Sequence, residues 1–468
     1  MPHGRRASAC DAPPGAPIAG PIDARALLGH SMLDAAFLRD PYPTYRALRE
    51  AAPLVWSDEF FGGAWLVSRH ADVELVLRDA RFSAQRTGGW VMRPAEGAPT
   101  DHAASHAGRS ELKGFQRLFA RAMIFLDAPD HTRVRQAMSA AFRPADLQRL
   151  APRIEQAVAN RLAAVGAEPF DFVSAVARPL PAEVIGLLMG LDDAAGDAPA
   201  DIVAWSDELA DFIGAPAPSR AQALSAQTAL LAMARHFDAL LARRRAAVKR
   251  GAEPRCDVIG RLLQAECDGQ IRGSAELLAQ CVMLLFAGHE TTRHLLANGL
   301  RTLLSHPQQW QQLKQDPSLL PGAVRELLRY DSPVQYTGRR VAAEVVMHGQ
   351  TLHRGDLVVA LIGAANRDPV RHERPDALDI TRRAAPPLAF GQGPHVCIGA
   401  ALTLMEAQAV FAQVLDRWPD LALTAPAAPH WSGNALYRGL TQLWVQRPGL
   451  PANARTAAPT LPPPPTTG

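Results

Sequence analysis

Phe390-Gly-Gln-Gly-Pro-His-Val-Cys-Ile-Gly399 is the most informative stretch of this chain. A single cysteine, Cys397, sits among glycines and opens directly onto the helix-forming run Ala400-Ala-Leu-Thr-Leu-Met-Glu-Ala407. A thiolate needs its charge stabilised, and the free N–H groups of a helix N-terminus do this. Glycines let the backbone come close to the sulfur or to a flat ligand. On these residues alone, Cys397 is a redox thiol or a metal ligand. Two other readings fail on spacing. A Gly-x-Gly-x-x-Gly dinucleotide loop would need glycine where Val396 stands. A zinc site would need further Cys or His nearby, and His395 lies two residues away with no second pair.

The rest of the chain supplies a large, mostly helical frame. Periodicity of three and four residues runs through 133–143, 153–165, 222–250, 275–301, 306–315, 320–330 and 399–417. Ala64-Trp-Leu-Val67 and Leu357-Val-Val-Ala-Leu361 read as strands, so the expected fold is mainly α with small β-sheets. The irregular segment Ser83–Ala122 is either a binding loop or a solvated excursion. Residues 26–447 read as one domain between two disordered tails, 1–25 and the Pro-rich 448–468.

Composition narrows the function. In 468 residues, 49 basic and 46 acidic side chains leave +3, which excludes the electrostatic footprint of a nucleic-acid binder. Only Lys113, Lys249 and Lys314 are lysines, an arginine bias expected of a GC-rich bacterial genome. Cys10, Cys256, Cys267, Cys281 and Cys397 form no Cys-x-x-Cys pair, which suits reduced thiols in a cytoplasm. The strongest apolar run, Cys281–Ala287, is far shorter than the ~20 residues of a spanning helix, so no membrane anchor is expected.

Three further segments carry chemistry. Ala287-Gly-His-Glu-Thr-Thr292 lies in an apolar helix. Its His-Glu pair is not a zinc motif, because position 293 is Arg and His294 falls about 100° round the helix. Glu326 and Arg329, at i and i+3, share a helix face, an arrangement that on its own is often just a surface ion pair. In Leu126-Asp-Ala-Pro-Asp-His-Thr-Arg-Val-Arg135, His131 and Arg135 share a face at i, i+4 and suit a carboxylate.

Together these segments resemble the cytochrome P-450 superfamily. Phe390, Gly391, Gly393, His395, Cys397 and Gly399 match its haem-ligand signature, and the other segments follow in the family's order. Asp40–Tyr45, Ala365–Pro369 and Pro375–Asp379 are also similar to family segments. The resemblance covers nearly all of residues 35–447 and implies the following. Haem b (iron protoporphyrin IX) is bound through Cys397 as the iron ligand. His131, Arg135, His395 and Arg339 hold the propionates, with Arg340 the neighbouring alternative. Ala287, Gly288, Phe390 and Gly399 contact the ring, and Gly288 with its adjacent hydroxyls loosens the helix locally. Glu290 and Thr291 relay protons, while Glu326 and Arg329 are a buried structural pair.

The implied activity is that of a dioxygen-using monooxygenase, fed by a separate ferredoxin and ferredoxin reductase and acting on a lipophilic small molecule. Trp90, Val91, Phe286, Val334, Tyr336 and Leu436 are the candidate substrate contacts. A haem isomerase or dehydratase, or a haem sensor, on the same fold is the alternative. One departure stands out: Leu402-Thr-Leu-Met-Glu406 lacks the Arg that family members often carry before the Glu.

Overall fold

Where apolar positions recur every three or four residues, the chain forms helices, and they run through most of its length. A computed structural model of the protein describes residues 21–85, 113–191, 201–383, 386–424 and 429–447. Helices of seven residues or more follow in the order α1 (Tyr42–Ala51), α2 (His70–Arg78), α3 (Lys113–Phe119), α4 (Asp130–Ser139), α5 (Pro144–Ala163), α6 (Pro179–Met189), α7 (Ile202–Gly214), α8 (Arg220–Lys249), α9 (Val258–Cys267), α10 (Ser274–Leu304), α11 (Pro307–Gln315), α12 (Leu320–Tyr330) and α13 (Ala400–Arg417). α10 is the central one. It is buried on nearly every face, as a helix apolar all round must be, and it packs against α6, α7, α8, α12 and α13.

The largest sheet has the strand order β1 (Leu54–Ser57), β2 (Ala64–Val67), β8 (Leu357–Ala360), β5 (Thr337–Val341), β3 (Phe82–Ser83), beside a three-stranded sheet of β4 (Phe170–Asp171), β10 (Trp444–Gln446) and β9 (Ala422–Leu423) and a two-stranded one of β6 (Val345–Met347) and β7 (Gln350–Leu352). Only β2 and β8 pair in parallel, and the other neighbours are antiparallel. Adjacent residues of β5 face opposite sides of the sheet, which matters below for Arg339 and Arg340. One apolar core spans the helices, and a second cluster, with Leu77, Val341 and Val358, lies under the sheet.

Regular structure is present already before residue 25, where the sequence places the end of a tail. Asp23 caps a short helix, Ala24–Leu28, and accepts from Ala26 N at 2.9 Å, while Trp56 N donates to Ile22 O at 2.8 Å. This turn is too short to show periodicity, yet it docks on β1 and buries Ala24. The other tail positions, 1–20 and 448–468, lie outside the described residues, as do Cys10 and the segment 86–112 with Trp90 and Val91. The end of the segment expected to be irregular is the helix α3, where Phe115 stacks on Phe119 at 4.3 Å. No helix among the described residues is long and apolar enough to cross a membrane.

Candidate active site

The cysteine loop is held by its own backbone. Cys397 N donates to Phe390 O at 2.8 Å, and Gly391 and Gly393 adopt φ of 70° and 72°. At Gly393 a Cβ would stand 2.9 Å from Leu77 O, so glycine is needed both for its conformation and for the approach to α2. Burial pushes the Cys397 thiol up. The N–H groups of Gly399 and Ala400, at the start of α13, and the Arg135 guanidinium act against it.

Cys397 lies in a cavity of about 260 Å³. Its other wall is the small-residue face of α10: Ala287, Gly288, Thr291 and Thr292. Phe390, His395, Gly399 and Arg339 line it as well. At Gly288 the structure differs from expectation. α10 is continuous from Ser274 to Leu304, with no loosened turn. Gly288 serves close packing instead, because a Cβ there would stand 2.7 Å from Ile185 Cδ1 of α6.

Basic groups gather beside this cavity: His395 and Arg339 line it, and His131 and Arg135 stand next to them, outside its lining. The His131 and His395 rings are 4.0 Å apart. His131 is buried and its Nε2 has no hydrogen-bond partner. Burial lowers its pKa, and the Arg135 and Arg339 charges lower it further. Arg135 donates to Val396 O at 2.7 Å, and Arg339 donates to Gly338 O at 2.8 Å and Thr337 Oγ1 at 3.2 Å. Arg340 points to the other face of β5, where it donates to Gly355 O at 2.8 Å. A thiol on one wall, a flat small-residue face opposite, and cations with an orphaned imidazole nitrogen on one edge suit a planar group carrying carboxylates. These residues fit haem.

A second cavity, of about 200 Å³, adjoins the first and shares Ala287, Thr291, Val334 and Thr337 with it. Its walls are mostly apolar and include the expected Phe286, Val334, Tyr336 and Leu436. Phe61, Phe125, Ile213, Met283 and Tyr437 also line it. Nothing in the sequence singled these out, since isolated apolar residues on separate elements look like core.

Thr291 stands at the junction, and its neighbour Glu290 lines the apolar chamber but not the Cys397 cavity. Thr291 Oγ1 donates to Ala287 O at 3.3 Å. Glu290 Oε1 is 2.9 Å from His294 Nε2 and 3.3 Å from Arg293 Nη2, and Oε2 has no hydrogen-bond partner. Burial alone would raise the Glu290 carboxyl, but His294, then Arg293 and His289, hold it down at about 2. His289 lines neither cavity, and its Nε2 lies 2.9 Å from Arg178 O.

Glu326 and Arg329 are fully buried and bidentate, at 2.7 and 2.8 Å. Arg329 also donates to the carbonyls of Asn366, Pro375 and Ala377. Two participants escaped the sequence reading. Arg382 Nε lies 3.2 Å from both Glu326 oxygens. Glu406, on the cavity wall, is buried without a partner for Oε1, and burial pushes it up to about 8.

Fold and site together define a haem-thiolate protein with an apolar chamber over the cofactor. The Cytochrome P450 family model matches residues 100–419, and the chain belongs to that family. It is 38% identical over 422 residues to Cytochrome P450 107B1 of Saccharopolyspora erythraea, covering 89% of this chain and 97% of the relative. It is 33% identical to the Vitamin D(3) 25-hydroxylase of Pseudonocardia autotrophica, covering 89% and 96%. Among solved structures, P450BioI in complex with hexadec-9Z-enoic acid ligated acyl carrier protein superposes with a TM-score of 0.75 at 31% identity, covering 88% of this chain and 100% of that one. The chain is a haem b monooxygenase, with the mainly α fold of that family.

Proposed function

We propose that this enzyme hydroxylates or epoxidises a lipophilic small molecule held in the 200 Å³ chamber, with Cys397 as iron ligand and Glu290 and Thr291 delivering protons. The observation that carries the reading is the shared wall: Thr291 lines both the Cys397 cavity and the apolar chamber, and Glu290 precedes it. Haem ligated by a cysteinate supplies the reduction and splitting of dioxygen and the transfer of one oxygen atom. The protein does the rest. Phe286, Val334, Tyr336 and Leu436 desolvate and orient the substrate. His131, Arg135, His395 and Arg339 would bind the propionates, and Phe390, Ala287, Gly288 and Gly399 would flank the ring. Thr291 Oγ1 holds a proton at the junction of the two cavities, and the carboxylate of Glu290 beside it exchanges one.

Related proteins named for vitamin D(3), 6-deoxyerythronolide B and biotin biosynthesis, and one solved with a fatty acyl carrier, support a lipophilic polyketide, terpenoid or fatty-acyl substrate. The family supports electron supply by a ferredoxin and its reductase. The stretch from Ile22 to Arg447 is read as one haem domain, supported by an apolar core running from Ala24 to Val445. Free Cys256, Cys267 and Cys281 support a reducing cytoplasm.

A panel of such compounds, screened for a shift in the haem absorbance of the purified protein, tests the chamber. With a compound that shifts the spectrum and is turned over, Thr291→Ala is expected to lower product per NADPH several-fold and to release peroxide instead. Unchanged coupling would remove Thr291 from proton delivery.

A further inference from the structure

Glu290 borders two cavities, and they differ in character. One is the apolar chamber, which Thr291 also lines and His294 does not. The other, of about 320 Å³, is polar; Arg178, Asp207, Asp211, Arg293 and His294 line it, and Thr291 does not. Glu290 therefore borders both a polar compartment and the apolar chamber that meets the Cys397 cavity at Thr291.

An ionised carboxylate is a poor proton source. Glu290 is held ionised at neutral pH by its neighbours, so any proton it passes to Thr291 must first reach it. Of those neighbours, Arg293 cannot give up a proton. His289 is 4.0 Å from Oε2, with Nε2 turned to Arg178 O. His294 alone is an imidazole within hydrogen-bond distance, one helical turn on, and the two ring nitrogens of an imidazole can accept a proton on one side and donate one on the other. Both side chains are closed from bulk solvent, at 1% and 3% exposure. His294 Nδ1 has no hydrogen-bond partner. Gly439 leaves room for the ring, since a Cβ there would collide with Nδ1. On the cavity wall, Asp207 ties Arg293 to Arg178. Beside it, burial and the charges of Asp207, Glu208 and Glu290 raise the Asp211 carboxyl, which suits it to collect protons.

We propose that His294 feeds protons to the acid–alcohol pair from the polar cavity. A proton taken from cavity water crosses from His294 Nε2 to Glu290 Oε1. Glu290 then releases one to Thr291 Oγ1 as that hydroxyl passes its own proton into the Cys397 cavity, and His294 takes up another from cavity water, whose proton the solvent replaces, so each group returns to its starting state. His294 is thus a positioning residue acting through Glu290, and the inference rests on the reading of Glu290 and Thr291 as the proton-delivering pair.

The test compares His294→Gln, Asp211→Asn and Glu290→Gln in the haem-loaded protein, with electrons from NADPH through a ferredoxin and its reductase and no substrate added. The charged groups facing His294 are Glu290, Arg293, Asp207, Asp211 and Arg178; the C-terminal segment adds only Ser432, Asn434, Leu440 and Thr441 to that wall. His294→Gln is expected to slow NADPH oxidation roughly tenfold, to enlarge its solvent deuterium isotope effect and to change its pH profile. Asp211→Asn, a near-isosteric change at an exposed position of α7, should act in the same direction more weakly. A readout independent of turnover is the infrared carboxylate band of Glu290, whose titration should rise by about one pH unit or more in His294→Gln. If Glu290→Gln slows oxidation while His294→Gln and Asp211→Asn keep the rate, isotope effect and pH profile of the parent, this inference is overturned and the reading beneath it stands. If Glu290→Gln also behaves as the parent, both fall.

Discussion

Cys397 shows how one side chain is tuned by its surroundings. Burial disfavours its thiolate, while two N–H groups and a guanidinium favour it, so an added cation at the sulfur tips the balance. Cys397→Ser is expected to lose the absorption band of reduced, carbon-monoxide-bound, thiolate-ligated haem; a band that persisted would exclude Cys397 as ligand. Glu406 shows the opposite case, a carboxyl with nothing to favour its charge. Its folded value of about 8 lies above the ordinary 4.5. Between those values the folded protein binds more protons than the unfolded chain. Stability therefore falls as pH rises through the window and is level above it, by roughly 1.4 kcal/mol for each unit of displacement. Glu406→Gln has no charge to bury, so its advantage over the parent in urea denaturation should widen with pH across that window and then stay constant. A gap independent of pH would refute this. Cys397 was legible in the sequence because its chemistry is concentrated in ten contiguous residues. Glu406 was legible only as a letter in a motif, since burial without a partner is a property of the packed chain.

Among the elements, α10 and β5 do most to organise the site. β5 sends Arg339 toward Cys397 and Arg340 toward the upper chamber, because successive strand residues face opposite sides. The resemblance pointed to Arg339 with Arg340 as the neighbouring alternative; the pleat puts the two on opposite faces. α10 was equally visible as a periodic apolar run, but the role of Gly288 was not. It depends on Ile185, a contact more than a hundred residues away in sequence. Gly288→Ala is expected to destabilise the fold by ~1–3 kcal/mol through overpacking. Ile185→Ala in the same chain should recover much of that loss, giving a coupling energy that thermal denaturation of the four proteins would reveal. Additive effects would mean that the two helices do not meet at this point.

At the level of the whole molecule, the Glu326–Arg329 pair ties distant segments together. Arg329 and Arg382 bring α12, Asn366 and the stretch 373–382 onto one buried carboxylate. Removing one partner leaves an uncompensated buried charge, so Arg329→Ala should cost ~3–5 kcal/mol and yield little haem-loaded protein, measured as the ratio of haem to protein absorbance. Normal loading would refute the structural role of the pair. The groups proposed to grip the two sides of the cofactor have a different separation. His131 and Arg135 come from the first third of the chain, and Cys397 from near its end, about 260 residues later. A ribosome adding ~5–20 residues per second takes on the order of tens of seconds to cover that distance. The first half of the proposed propionate clamp, His131 and Arg135, is thus synthesised well before Cys397, while its second half, Arg339 and His395, emerges shortly before or with the ligand, and a nascent chain meets haem with one hand only until that stretch has appeared.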